Sequence, residues 1–406
     1  MKHSRRAVPI GATPAARFGV RAAIAGLATA LAATTAVWGY VSLRVARTIV
    51  TPPPRRLPDT KIVGVDLAAQ TITLERTADT ELPGRYGLFT TGSESYVKLG
   101  TVLSADANTV KRKLLTQIGP SSRLAAEAAF SGWYYDSPEQ LHLPFTTELI
   151  GSSVGPCPAW LFPAEHDATT WVIQVHGRGT TRAECLRAVP LLHGMGFPVL
   201  VASYRNDGDA PRAGGGTSML GATEWRDVDA AISFALRRGA TRVLLMGWSM
   251  GGAIALQTEL NSPHRDAICG LVLESPVVDW RVVLGYQAGQ LRLPHPVTEL
   301  ALGALQSVWA RPLTRSDAIS LDALDVVARA NELAHPILIL HSDDDGFVPS
   351  DASHALATAR PDLVELQVFE VARHTKLWNY DPERWTQTIR EWLTRHELVA
   401  AGQHSQ

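Results

Sequence analysis

The first 56 residues contain no aspartate or glutamate, yet they hold nine lysines and arginines. The rest of the chain therefore carries 29 basic and 39 acidic residues, a net of −10. That balance excludes nucleic acid as the partner of the globular part, because a phosphate backbone needs a basic face. Cysteine is also scarce. Cys157, Cys185 and Cys269 are too few for a disulfide framework, and their spacings fit neither zinc nor redox chemistry. Cys269 opens an apolar run and reads as a small core residue; an isolated Cys157–Cys185 bridge is left open. The chain has no H-E-x-x-H, no C-x-x-C and no glycine-rich loop followed by lysine. Gly214-Gly-Gly-Thr lacks that lysine and reads as a flexible loop near the site. Asp343, Asp344 and Asp345 lack the glycine and glutamate spacing of a calcium loop. Neither a metal nor a cofactor is expected.

The basic N-terminus surrounds a charge-free stretch. Ala22 to Leu43 is bounded by Arg21 and Arg44, and a helix of that length can cross a bilayer. The pattern predicts a basic segment over 1–21 and a single-pass signal-anchor helix over 22–43. With the N-terminus inside, the globular part is extracytoplasmic. Three other readings rank below this one. They are a cleaved signal peptide at Ala30-Leu31-Ala32, a twin-arginine signal at Ser4-Arg5-Arg6, and a buried helix of a soluble protein. A proline-rich spacer follows over 44–59, stiffened by Thr51-Pro-Pro-Pro.

From 60 to 144 short β-branched runs are broken by Gly, Pro, Asn and Asp. They predict a small β-rich subdomain of antiparallel strands without a catalytic pattern. Gly132-Trp-Tyr-Tyr-Asp reads as a core joint rather than a surface contact. From 145 to 400 the rhythm changes. Wholly apolar runs such as Trp171-Val-Ile-Gln-Val and Pro336-Ile-Leu-Ile-Leu alternate with helical stretches. Strands of that kind are buried on both faces, as in a mostly parallel sheet covered by helices. The stretch 277–335 is too long for a plain crossover and reads as a helical cap insert.

Gly247-Trp-Ser-Met-Gly fits G-x-S-x-G between an apolar run and a helical one. Small residues allow a sharp strand-to-helix turn that holds the Ser249 hydroxyl clear as a nucleophile. A serine needs a base, and the base needs orienting. Asp345 follows the penultimate strand and His374 the last, so both reach the carboxyl edge where Ser249 sits. Asp279, after an earlier strand, is a second candidate acid. His341 reads as a packed or hydrogen-bonded strand-end residue. His176-Gly-Arg-Gly follows strand 171–176, and the Arg178 amide is expected to pair with the Met250 amide as an oxyanion hole. For the Arg178 side chain two readings stand: it guards the mouth or binds an acidic substrate group, or it makes a surface salt bridge.

These motifs resemble the α/β-hydrolase superfamily over about residues 145–398, in its serine aminopeptidase-like and lysophospholipase-like branches. His176-Gly-Arg-Gly, Gly247-Trp-Ser-Met-Gly-Gly, His341-Ser-Asp-Asp-Asp-Gly-Phe-Val-Pro and His374-Thr-Lys-Leu-Trp-Asn carry the likeness. Val348-Pro349 after Asp345 fits the family pattern and favours that aspartate over Asp279. The layout, with Ser203-Tyr-Arg-Asn-Asp and Glu224-Trp-Arg-Asp, is similar to membrane-anchored actinobacterial hydrolases. The resemblance implies an α/β-hydrolase fold and a membrane-anchored, carboxylesterase-like serine hydrolase (EC 3.1.1 class). Its expected partners are a small or lipid-like acyl substrate and the membrane. An acyltransferase with the same triad, and a non-catalytic binding protein of this fold, are the alternatives.

Overall fold

The computed structural model describes residues 29, 34–52, 58–91, 95–119, 124–166 and 168–398. Six short strands close into an antiparallel barrel: β1 Thr60–Asp66, β2 Thr71–Glu75, β3 Tyr86–Thr90, β4 Tyr96–Ala105, β5 Thr109–Leu114 and β6 Glu127–Ser131, in the order β1-β2-β5-β4-β3-β6. Alternation puts Ile72, Leu74, Tyr86, Leu88, Val97 and Leu99 inside. Pairing of Thr60 with Ala128 and of Lys61 with Glu127 closes the ring. The barrel occupies 60–131 of the β-rich stretch. Beyond it Trp133 is buried edge-on to Phe89, and Tyr134 and Tyr135 pack near Trp378. The aromatic patch is thus the joint between the barrel and the domain that follows.

That domain is built on an eight-stranded sheet. Its strands are β7 Thr146–Ser152, β8 Gly155–Phe162, β9 Thr170–Val175, β10 Val199–Ala202, β11 Arg242–Trp248, β12 Ile268–Glu274, β13 Ile337–Ser342 and β14 Val364–Phe369. The order is β14-β13-β12-β11-β9-β10-β8-β7. β9 to β14 run parallel; β8 and β7 form an antiparallel hairpin at one edge. β9, β11 and β13 are buried at nearly every position, which is why they read as unbroken apolar runs.

The helices, in chain order, are α1 over 34–50, α2 Val189–Gly194, α3 Trp225–Arg237, α4 Met250–Asn261, α5 Trp280–Gln290, α6 His295–Leu305, α7 Arg311–Thr314, α8 Asp351–Ala359, α9 Leu377–Tyr380 and α10 Pro382–Arg395. Hydrophobic clusters fill both faces of the sheet. α3 packs Val228, Ala231, Ile232 and Ala235 inward, the helical spacing visible in the sequence. α5, α6 and α7 occupy the insert 277–335.

One open question is closed and one expectation is corrected. All three cysteines are free, so the Cys157–Cys185 bridge left open above is not formed. Cys157 lies in β8 beside Ser152, Cys185 is wholly buried, and burial raises every thiol pKa, to about 11 for Cys157 and Cys269. Second, 44–50 is helical rather than spacer. Ser42, Ala46 and Val50 recur every four residues and are fully buried on one face of α1. Ser42 Oγ donates to Val297 O and the Ser218 amide to Val50 O, so this helix docks on the insert and the loop before α3. Among the described residues no helix is long and apolar enough to cross a bilayer. Residues 22–28 and 30–33 of the predicted span lie outside the described residues. On the described part Val37, Trp38 and Tyr40 are exposed.

Candidate active site

β11 ends at Trp248, and the chain must reverse at once into α4. Ser249 takes φ 52° and ψ −118°, a region costly for a residue with a Cβ. The glycines make the reversal sterically feasible. A Cβ on Gly247 would sit 2.5 Å from Gly251 O, and one on Gly251 only 2.1 Å from Val175 O. The Ser249 amide donates to Glu274 O and its carbonyl accepts from the Val277 amide, so the strained residue is held from both sides. Met250 opens α4, whose N-terminus favours negative charge.

The other two side chains arrive from loops after β13 and β14. His374 Nε2 lies 2.9 Å from Ser249 Oγ, and His374 Nδ1 lies 2.9 Å from Asp345 Oδ2. The His374 amide donates to Asp345 O, which fastens the two loops together. Asp345 is buried, and its Oδ1 accepts from the amides of Phe347 and Val348. Burial alone would raise the Asp345 pKa. The charge of His374 beside it, with His341 close by, outweighs burial and holds the carboxyl well below the usual aspartate range. The arrangement can draw a proton from the Ser249 hydroxyl onto an imidazole whose far nitrogen faces a fixed carboxylate.

Asp279 spends its carboxylate elsewhere. It caps α5 by accepting from the Arg281 amide. His341 is buried, bonded to Ser353 Oγ and Val348 O. Asp343 faces Ser350 and His354, and Asp344 faces Arg373. Gly215 and Gly216 border a neighbouring polar hollow with Asp207 and Arg315, not the cavity of Ser249.

The Gly177-Arg178 turn is held by residues whose role the sequence reading missed. Glu184 Oε2 accepts from the Gly177 amide at 2.7 Å and from Thr180 Oγ1 at 2.9 Å. With that amide engaged, Arg178 and Met250 are left as the amides proposed for an oxyanion. Tyr204 donates to Gly177 O, and His176 Nε2 faces Asp207 at 3.1 Å. The Arg205 guanidinium makes two bonds to Asp227 at 2.7 and 2.8 Å. Ser203-Tyr-Arg-Asn-Asp and Glu224-Trp-Arg-Asp therefore serve as scaffold for the loop beside Ser249. Among the described residues the Arg178 side chain meets no acid; it donates to Thr48 O and Thr51 O at the end of α1.

A second buried set lies behind the histidine. Glu274 Oε2 accepts from the indoles of Trp248 and Trp385. Arg187 Nη2 sits 3.6 Å from Glu274 Oε1, and Arg187 Nη1 donates to Gly132 O and Thr375 O. One guanidinium thus ties the barrel exit to the residue after His374. The signal available in sequence was weak: an acid ending an apolar strand and an arginine amid Cys185, Leu186 and Ala188.

Ser249 and His374 open on a cavity of about 460 Å³. Its walls come from the insert (Trp280, Val283, Leu284), from α1 (Thr48, Ile49) and from the barrel (Asp79, Phe130).

A parallel sheet with a strained serine elbow, an imidazole and a buried carboxylate at its carboxyl edge defines an α/β hydrolase. A profile of the prolyl oligopeptidase family matches residues 187–397, and the chain belongs to that family. A domain family of unknown function (DUF8805) matches 61–131, the barrel. Among curated proteins the chain is 25% identical over 199 residues to a pimeloyl-[acyl-carrier protein] methyl ester esterase of Aliivibrio fischeri, covering 42% of this chain and 77% of that protein. It is 26% identical over 254 residues to an uncharacterized protein of Mycobacterium tuberculosis, covering 60% and 76%. An esterase structure from Pyrococcus furiosus superposes with a TM-score of 0.51 at 19% identity, covering 64% of this chain and 94% of that one; this likeness bears on fold alone.

Proposed function

We propose that the protein is a serine hydrolase that cleaves a carboxylic ester through an acyl-enzyme. The observation that carries the reading is the pair of 2.9 Å contacts from Ser249 to His374 and from His374 to Asp345. Ser249 Oγ attacks the carbonyl carbon as His374 Nε2 takes its proton. The oxyanion is met by the Arg178 and Met250 amides, and losing one such donor costs about 3 kcal/mol of transition-state stabilisation. His374 returns the proton to the leaving oxygen. Water, activated by the same imidazole, then frees the acid. The relative that is a methyl ester esterase supports an ester as the bond.

The family description favours a peptide or other amide bond as the second reading. The test is a fluorophosphonate probe on wild type and Ser249→Ala, followed by esters and anilides of one acyl group. Labelling lost in Ser249→Ala, with kcat/KM for the ester well above that for the anilide, is the expected result. No labelling of the wild type would instead favour a non-catalytic binding protein. Ester formed with an added alcohol in preference to acid would favour an acyltransferase.

Membrane anchorage through 22–43 is part of the same proposal, supported by the charge-free stretch and by exposed Val37, Trp38 and Tyr40 on α1. Full-length protein should stay with membranes through an alkaline carbonate wash. Release by that wash would end the anchorage reading and leave the chemistry untouched.

A further inference from the structure

The catalytic cavity has a continuation. A second hollow of about 420 Å³ lies between α1 and the helices α5 and α6. The two share Thr48, Ile49, Leu284 and Gln287 as lining residues. Each has the volume of a small-molecule site. Beyond the shared neck the walls are chiefly apolar, with Val41, Val45, Leu293, Ala301 and Leu302; among the described residues Arg44 is the one charged lining residue and no carboxylate lines them. From Ile49 back to Tyr40 the groove follows α1 for roughly 13 Å at 1.5 Å per residue. Tyr40 and Leu291, 65% and 70% exposed, form its outer rim.

The wall around His374 has different chemistry. Arg373, Thr375 and Lys376 flank His374, and Lys376 is paired with Asp79 of the barrel at 2.9 Å. The group that His374 protonates must leave on that polar side. The acyl part then points the other way, toward the neck at Ile49 and Leu284.

We propose that the groove between α1 and the insert holds the acyl chain, so that the substrate is a lipid-like ester with a long unbranched chain. This inference rests on the hydrolase reading and names its substrate class. Each methylene entering an apolar groove of this kind raises apparent affinity ~fourfold until the groove is filled.

The experiment uses the full chain, and p-nitrophenyl butanoate and dodecanoate as probes. Wild type is expected to show at least a tenfold higher kcat/KM for the dodecanoate. Thr298→Trp and Val41→Trp, each placing an indole in the groove, should each lower the dodecanoate-to-butanoate ratio at least tenfold; Tm reports whether each variant has folded. A wild-type ratio near one, or a ratio unchanged in both folded variants, overturns the proposal. A preference for chains carried on the alcohol side overturns it as well. Calorimetric binding of dodecanoate to Ser249→Ala separates the two layers. Chain binding weakened at least tenfold by Thr298→Trp, with no ester turned over by wild type, would sink the hydrolase reading and keep the groove. Absence of chain binding would sink the groove.

Discussion

The barrel and the hydrolase domain each bury an arginine, and they treat it differently. In the barrel Arg112 is fully buried, and none of its bonds goes to a carboxylate. It donates to Gly100 O, Thr80 O, Leu82 O and Gly84 O at 2.7 to 3.0 Å, and burial lowers its pKa to about 10. In the hydrolase domain Arg187 faces Glu274, and its other bonds reach the histidine loop and the barrel exit. The first arginine fastens a loop to the wall of its own barrel. The second joins three pieces that meet at the candidate site. Among the described residues Arg112 is the barrel's one fully buried charge, whereas the sheet domain buries Glu184, Arg187, Arg205, Glu224, Asp227, Glu274 and Asp345 toward its carboxyl edge and Glu259 at the far end of α4. Buried charge is costly wherever it sits. Its concentration around one edge marks the place where geometry has to be exact to serve chemistry.

That contrast can be broken by substitution. The largest effect belongs to Asp345→Asn. An amide there favours the wrong tautomer of His374, and kcat should fall by about 10⁴-fold with little change in KM. A fall under tenfold would remove Asp345 from the relay. The same carboxylate has a stability signature. Its folded pKa lies below the unfolded value, so its contribution is full above the ordinary aspartate range and is lost as pH falls through that range toward the folded pKa. Wild type should therefore lose more Tm between pH 7 and pH 3 than Asp345→Asn does.

Next in size is Arg187→Met. It leaves Glu274 without its cation and Thr375 O without a donor, and a small displacement of His374 costs about 10²-fold in kcat. Unchanged kcat in a folded variant would make Arg187 a staple of Arg112's kind. Arg112→Met is the matched control: four carbonyls lose their donor, and stability should fall by about 3 kcal/mol in denaturant. kcat of the folded fraction should not move. If it does, the barrel shapes the site more directly than the shared wall at Asp79 and Phe130 implies.

What was legible in the sequence follows the same divide. Ser249 and His374 each stand next to an apolar strand, so chain order alone carries them to one edge, and Asp345 needed only the added Val348-Pro349 pattern. Glu184, Arg187 and Glu274 were not legible as parts of a site, because a buried charge and a solvated one look alike until the partner is seen. The barrel's strands could be read from alternation, but its closure could not. β6 is short and alanine-rich, and the β1–β6 pairing joins residues far apart in sequence. α1 was misjudged past residue 43 because Arg44 and Arg47 end the apolar run just before Thr51-Pro-Pro-Pro, so 44–50 reads as the start of a spacer. Here Ser42, Ala46 and Val50 make it a docking face.

Arg178 tests that docking face with the smallest expected effect. It stands between the two other arginines in kind: its side chain is half-buried, burial lowers its pKa, and two carbonyls at the end of α1 accept its hydrogen bonds. Its backbone amide, the proposed oxyanion donor, survives substitution. Arg178→Ala should therefore loosen α1 by about 1–2 kcal/mol, the net worth of two such bonds. Hydrogen exchange should show this as faster exchange at 42–50, with barrel amides unaffected. Because Thr48 and Ile49 line both the cavity at Ser249 and the groove, a loosened α1 should also blunt acyl-chain preference by a few-fold. Unchanged exchange at 42–50 would mean that Ser42, Ala46 and Val50 hold the helix unaided, and that packing rather than the guanidinium fixes this wall of the cavity.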